Sequence, residues 1–295
     1  MLSKIKSKLN SQPKKSNIIV FGTNASGKTV YLAMVCHCLA QSDEWRFRFG
    51  DFHNIGENTD SNAMTTAQYI NERQRELLVD GLFPASTVVQ RKPQTLMFNL
   101  WNVQNKKLSC QIKTYDVAGE QIRKLWGHQD ERDRDPEMLA MFEDLVEDAG
   151  GFLFLIDPSH ESIFYQVSLY LRIMQFLGER FHERKSEKLP QPIALLITKD
   201  DEFHIPEPWD YLSDNNFQIV SNFINNKIHK DKIEAFKCSA VGGIDYKMVD
   251  VEVINEIGGK KQRMTEKKNT KVPIHPPQPK GIMGPLVWLI EKMND

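Results

Sequence analysis

The run Asn17-Ile-Ile-Val-Phe21 leads directly into Gly22-Thr-Asn-Ala-Ser-Gly27-Lys28-Thr29. The first part is a short, unbroken apolar stretch, the composition of a strand buried on both faces of a parallel sheet. The second is Gly, four residues, then Gly-Lys-Thr, the pattern of a loop that cradles phosphates. Each residue type has a physical task there. Gly22 and Gly27 let backbone N–H groups turn inward where a larger side chain would block them. Thr23, Asn24, Ala25 and Ser26 supply the backbone of the cradle. Lys28 brings a point charge to the terminal phosphates, and the Thr29 hydroxyl is a ligand for Mg²⁺. A helix beginning at Lys28 directs its positive end at the anion.

Working outward, the chain alternates. A helix is expected over Lys28–Leu39 and a strand over Trp45–Phe49, where apolar and polar residues alternate. Asp60 or Ser61 can cap a helix running to about Val79, which Gly81 ends. Leu96–Val103 and Leu108–Tyr115 read as a strand pair. Asp135-Pro136 starts a helix that Gly150 closes. Gly151–Asp157, Pro192–Thr198 and Ala235–Ser239 then read as strands, separated by helices Glu161–Arg180 and Asn216–Ile228, with a last helix from Pro285 to about Met293. Such alternation implies an α/β fold, a mostly parallel central sheet with helices on both faces.

Composition narrows the function. The 295 residues include 38 Lys+Arg and 39 Asp+Glu, for a formal charge of -1, so no global field favours nucleic acid or an acidic membrane. The purest apolar stretches, Phe152–Ile156 and Ile193–Ile197, reach about a quarter of the roughly 20 residues a membrane span needs. The basic start, Met1 to Asn10, has no apolar run behind it and so is no secretory signal. Cys36, Cys38, Cys110 and Cys238 make no disulfide framework and read as reduced small hydrophobes, which points to the cytoplasm. Residues 1–16 are expected to be a basic tail. They are either solvated or, through Leu2, Ile5 and Leu9, laid on a membrane surface. Lys260–Lys271 carries six basic residues against Glu266, and reads as a solvated loop insertion, with a hairpin over Tyr246–Ile254 as one option for the insertion and a phosphate or partner contact as the sharper alternative.

Three later stretches bear on which nucleotide is bound. Asp116-Val-Ala-Gly119-Glu120 closes the strand ending at Tyr115. That places Asp116 at the carboxyl edge of the sheet, where α/β folds bind ligands and where an Asp can hold Mg²⁺ through water. Gly119 lets a backbone N–H approach the γ-phosphate. Thr198-Lys199-Asp200-Asp201 also ends a strand. It fits Thr/Asn-Lys-x-Asp, in which the Asp201 carboxylate accepts two N–H bonds from guanine while the Lys199 stem covers the ring. Adenine would set an acceptor against that carboxylate, at several kcal/mol of discrimination. Cys238-Ser239-Ala240 follows another strand and can direct backbone N–H groups of Ser239 and Ala240 at the guanine oxygen.

With these four boxes in this order, the chain resembles the Ras-like P-loop GTPases of the translation-factor-related (TRAFAC) class. The resemblance covers roughly residues 17–295. Within the class the chain looks most like the bacterial double-GTPase group, on Gly27-Lys-Thr-Val-Tyr-Leu32 and on Pro277-Gln-Pro-Lys-Gly281 followed by Pro285-Leu-Val-Trp-Leu289. The resemblance implies one GTPase domain with insertions at about 45–80 and 243–281, a GTP/GDP switch using Mg²⁺, and an unidentified protein effector in a bacterial multi-protein system of defence or conflict type. It also implies a loop threonine that closes on Mg²⁺ and the γ-phosphate, here assigned to Thr87 in Phe83-Pro-Ala-Ser-Thr87. Two positions depart from the family. Glu120 stands where a glutamine usually orients the attacking water. Asn24 stands where many relatives have Gly, and can crowd out a partner's arginine. Both imply slow intrinsic hydrolysis.

Two other readings stay open. One is an ATPase or nucleotide kinase that uses Asp157, at the end of Gly151-Phe-Leu-Phe-Leu-Ile-Asp157, for Mg²⁺. The other is a scaffold locked on its nucleotide, in which Glu120 and Asn24 have removed useful hydrolysis.

Overall fold

The computed structural model describes residues 17–23, 25–50, 65–84, 94–105, 109–116, 125, 136–181, 188–214, 226–257 and 260–295. Strand β1 (Asn17–Gly22) runs at the centre of a seven-stranded sheet. Its side chains alternate: Ile19 and Phe21 enter one hydrophobic cluster and Ile18 and Val20 the other, so an unbroken apolar run serves two layers at once.

The sheet order is β2-β3-β4-β1-β5-β6-β7. Here β2 is Trp45–Phe49, β3 Gln94–Asn102, β4 Ser109–Asp116, β5 Ala149–Ile156, β6 Ile193–Ile197 and β7 Ile233–Lys237. β1, β4, β5, β6 and β7 are parallel, while β3 runs antiparallel to both β4 and β2. On one face lie α3 (Pro136–Glu147) and α4 (His160–Phe181), with Phe142, Val146, Tyr170 and Leu177 packed against Phe21, Phe152 and Phe154. On the other lie α1 (Lys28–Gln41) and α7 (Gly284–Asn294), with Leu32, Val35, Leu286 and Ile290 against Val20, Leu153 and Leu196. A three-layer α/β domain results. Helix α2 (Thr66–Leu78) leans on α1, where the Gln74 amide donates to the Ala33 carbonyl at 2.9 Å.

Three expectations change, and one more lies mostly outside the described residues. Helix α2 is capped by Thr65, not by Asp60 or Ser61. Gln68 N–H donates to Thr65 Oγ1 at 3.2 Å and Thr65 N–H to Gln68 Oε1 at 2.9 Å, a capping box that halts the helix there. Gly150 does not close α3, which ends at Glu147; it lies inside β5, where the sheet accepts a residue without a side chain. The helix expected over 216–228 lies mostly outside the described residues. Its last residue, Ile228, bridges to Leu189 instead, and two short helices, α5 (Asp200–Phe203) and α6 (Pro208–Asp214), precede it.

The last change is the largest. Lys260–Lys271 is no loop. It forms β9 (Lys260–Pro273), paired in antiparallel register with β8 (Ile244–Ile257) from Ile244↔Pro273 to Ile257↔Lys260. In this register two of the six basic positions lie opposite acids, Asp250↔Lys267 and Glu256↔Lys261, a cross-strand match that a view of β9 alone hides. All four cysteines are free thiols, with Cys36, Cys110 and Cys238 buried. Among the described residues no helix is long and apolar enough to cross a membrane.

Candidate functional site

The chain leaves β1, builds β4 on one side of it and then β5 on the other, so the carboxyl end of β1 is the point where the strand order reverses. The glycine-bounded loop emerges there. Ser26 is fully buried and folds the loop back on itself, its Oγ donating to the Thr23 carbonyl at 2.9 Å. Gly27 holds a left-handed backbone, φ 79°, and its carbonyl accepts the first helical bond, from Tyr31 N–H at 2.8 Å. A side chain on Gly22 has no room, since a Cβ would stand 2.5 Å from Ser26 Oγ and 3.2 Å from Lys28 Cβ. Ala25 also takes a positive φ, 62°, a strained choice that closes the turn tightly. Lys28 is buried as the first residue of α1, and Thr29 follows half-buried. The N–H groups of this first turn, with no helical acceptors, face the loop.

Asp116 ends β4. The parallel ladder with β1 runs to Ile19↔Lys113, three residues before Gly22 on one strand and three before Asp116 on the other, so both end at the same carboxyl edge of the sheet. The Asp116 side chain, and Asn24, Thr87, Gly119 and Glu120 altogether, lie outside the described residues.

The second half of the site is the turn after β6. Thr198 is buried, and its hydroxyl donates to the Ser26 carbonyl at 3.0 Å, with the Ile156 carbonyl at 3.2 Å, tying this turn to the loop after β1. Lys199 has a left-handed backbone, φ 58°, and sends its ammonium to Asp157 Oδ1 at 3.0 Å. Three acids follow in a row, and they have different fates. Asp200 Oδ1 accepts Ile205 N–H at 2.8 Å and lies 3.6 Å from Lys237 Nζ. Glu202 is ion-paired with Lys271 of β9. Asp201, among the described residues, has neither a hydrogen bond nor an ion pair, and it lines a cavity of about 220 Å³.

That cavity opens between the two halves. Thr198, Lys199 and Asp201 form one wall, Cys238, Ala240 and Val241 the next, and Ala25 and Gly27 join it to the loop after β1. Phe83, Val30, Tyr31 and Glu202 also line it, and Ile244 and Lys271 come from the start of β8 and the end of β9. Burial pushes the Cys238 thiol well above its ordinary range, and the charges of Asp201 and Asp200 push it the same way, so it stays protonated.

Ser239 and Ala240 divide their expected task. The Ser239 N–H donates to the Lys280 carbonyl at 3.0 Å, and Ser239 Oγ accepts Gly242 N–H at 2.6 Å. Ser239 is therefore engaged inside the protein, a correction to its expected place on a ligand, while Ala240 lines the cavity. Asp157 is nearly sealed from solvent at 1 % exposure, and its Oδ1 is taken by Lys199 and by Ser159 N–H at 3.1 Å. Sequence reasoning missed Thr198 as a tie between the two turns, although it is the first letter of its box. It also missed Phe83, Ile244 and Lys271, which no local pattern marks.

Neither a protein-family model nor a curated protein sequence matches this chain. Among solved structures it is similar to the Arl6 BBS3 small GTPase of Trypanosoma brucei with the bound nucleotide analogue GppNp, at 10 % identity over 76 % of this chain and 87 % of that one, TM-score 0.38. It is similar to the Ski7 GTPase-like domain of S. cerevisiae bound to GTP, at 13 % identity over 80 % of this chain and 45 % of that one, TM-score 0.39. A third is Sup35 complexed with GDP, at 10 % identity over 76 % of this chain and 37 % of that one, TM-score 0.32. The chain thus spans less than half of the Ski7 and Sup35 structures.

Proposed function

We propose that this chain binds a guanine nucleotide, hydrolyses GTP to GDP and phosphate, and acts as a switch on a protein partner. One observation carries the reading: of three consecutive acids, the one left without a partner is Asp201, and it faces the cavity that adjoins the phosphate-type loop. A carboxylate kept there without a protein donor asks for a ligand with two N–H groups on one edge, which guanine has and adenine lacks. Ala240 supplies the remaining backbone N–H toward the ring oxygen. Lys199 lines the cavity with its ammonium anchored on Asp157, which leaves its stem to cover the base.

At the other end, Lys28 and the N–H groups of the first turn of α1 hold and orient the phosphates. Thr29 and Asp116 offer the hard oxygen donors that Mg²⁺ takes, with Thr87 as a third, and the ion would neutralise charge between the β- and γ-phosphates. Glu120 orients the attacking water but adds negative charge beside the γ-phosphate, and Asn24 occupies space that a partner's arginine would need, so intrinsic turnover is slow. Asp157 is unsuited to be the Mg²⁺ carboxylate of an ATPase because its Oδ1 is already committed to Lys199 and Ser159.

In this reading residues 17–295 are one GTPase domain carrying insertions at about 45–80 and 243–281. The chain is a member of the bacterial double-GTPase group and works in the cytoplasm within a multi-protein system of defence or conflict type.

Calorimetric titration of nucleotide-free protein with Mg²⁺-GDP and Mg²⁺-ADP tests the core of this. Tight GDP binding with little for ADP is expected. Asp201→Asn should lose GDP and gain xanthosine diphosphate, because the amide can donate to the 2-oxo group while still accepting from N1–H. Equal binding of ADP, or GDP binding unchanged in Asp201→Asn, overturns the guanine assignment.

A further inference from the structure

Among the described residues, the β8–β9 ribbon meets the core at its root. Val272 is fully buried and the ladder is extended past the strands by Ile274 N–H on the Gly243 carbonyl at 3.1 Å. A few residues outward Tyr246 and Met248 are 58 % and 63 % exposed, and the two 14-residue strands run on, roughly 45 Å at about 3.3 Å per residue. The root is where the ribbon meets the cavity: Ile244 and Lys271 both line it, and Lys271, opposite Tyr246 in the ladder, is ion-paired with Glu202, the neighbour of Asp201.

Glu202 sits in the last turn of α5, a four-residue helix, and its carboxylate could as well have stayed in water. Instead a lysine from a ribbon some 70 residues further along the chain pairs with it, and both side chains line the cavity. The lysine's aliphatic stem then covers apolar cavity surface while its ammonium is fixed at the rim. Ile244 completes the wall with a branched side chain.

We propose that Lys271, latched by Glu202, and Ile244 form a retaining wall for the bound nucleoside, so that the ribbon root sets how fast nucleotide leaves. This rests on the guanine-nucleotide reading above. Lys271 and Ile244 are binding residues in that scheme; Glu202 also lines the cavity and holds Lys271 in place.

Stopped-flow release of a fluorescent GDP analogue from the full chain tests it. Lys271→Ala and Ile244→Ala are each expected to speed release about tenfold, and Glu202→Gln about fivefold, as befits a half-exposed ion pair. The exchanged pair, Glu202→Lys with Lys271→Glu, should return the rate to within about twofold of the parent, a recovery that also shows the variants fold. Lys267→Ala, further out on β9, should leave it unchanged. If the parent binds GDP and Lys271→Ala and Ile244→Ala release it at the parent rate, the wall is overturned while the guanine reading stands. If the exchanged pair stays as fast as Lys271→Ala, the latch by Glu202 is overturned. A parent that takes up no GDP overturns the guanine reading itself, and the wall with it.

Discussion

The ammonium of Lys199 lies 3.0 Å from Oδ1 of Asp157, joining the turn after β6 to the end of β5 across the sheet edge. Asp157 is 1 % exposed, whereas the Lys199 side chain keeps 31 % of its surface in solvent. The pair therefore does two things: it neutralises a buried carboxylate, and it fixes the lysine stem along the cavity.

Removing the lysine leaves the carboxylate buried with a single backbone donor, Ser159 N–H. Lys199→Met is expected to lower stability by about 2 kcal/mol, less than the roughly 3–5 kcal/mol of a fully buried pair because the lysine is partly solvated. Asp157→Asn should cost less, since it removes the charge along with its partner's need. Urea denaturation of the two variants gives the comparison, and a larger loss for Asp157→Asn would contradict this ranking.

Thr198 couples the two halves of the site through its hydroxyl on the Ser26 carbonyl at 3.0 Å. Thr198→Val keeps the shape and deletes the donor. A stability loss of about 1 to 2 kcal/mol is expected from the orphaned carbonyl. GDP affinity should fall about tenfold as the loop loosens from the base turn. Calorimetry beside thermal melting separates the two effects.

Gly22→Ala puts a methyl group 2.5 Å from Ser26 Oγ, so Ser26 must rotate off the Thr23 carbonyl. The fold should survive with a loss of about 1 to 2 kcal/mol, the scale of a crowded core site. Nucleotide binding should weaken at least about tenfold, because the same shift disturbs Lys28. Near-parental GDP affinity in a well-folded Gly22→Ala would mean that the loop tolerates a side chain where the geometry leaves none.

Stability should fall on the alkaline side. Burial raises Cys36, Cys110 and Cys238 above the ordinary thiol value of 9.0 and Tyr31 and Tyr170 above the ordinary phenol value of 10.0. Each group keeps its proton in the folded state when the unfolded chain has already lost it. The unfolded state thus binds fewer protons above pH 9, and the contribution, whole below that, is lost as pH rises, at up to about 1.4 kcal/mol per pH unit per group. Tyr31→Phe, which also deletes a hydrogen bond to the Ile282 carbonyl at 3.0 Å, should flatten the decline above pH 10. Denaturant midpoints at pH 8 to 11 provide the check; a flat profile would sink the argument.

The contiguous parts of the site were legible. Gly22–Thr29 places its turn, its lysine and its helix start within one short stretch, and the helix does begin at Lys28. Strand β1 was readable for the same reason, since an apolar run that must bury both faces leaves no alternative register. Thr65 shows where local reading slips: Asp60, Ser61 and Thr65 are all capping types, and the Gln three residues beyond Thr65 makes the difference.

What local pattern could not carry was anything that depends on a distant partner. The basic run Lys260–Lys271 looks like a solvated loop until Asp250 and Glu256 stand opposite it. Ser239 looks available until Lys280 takes its N–H, and Asp200, Asp201 and Glu202 look alike until Lys237 and Lys271 claim the outer two. The covalent order of residues determines backbone chemistry, helix starts and the faces a strand must bury, because these act over a few bonds. Which of several equal side chains is left for a ligand depends on charges and carbonyls brought within about 4 Å by chain folding, and so belongs to the packed structure alone.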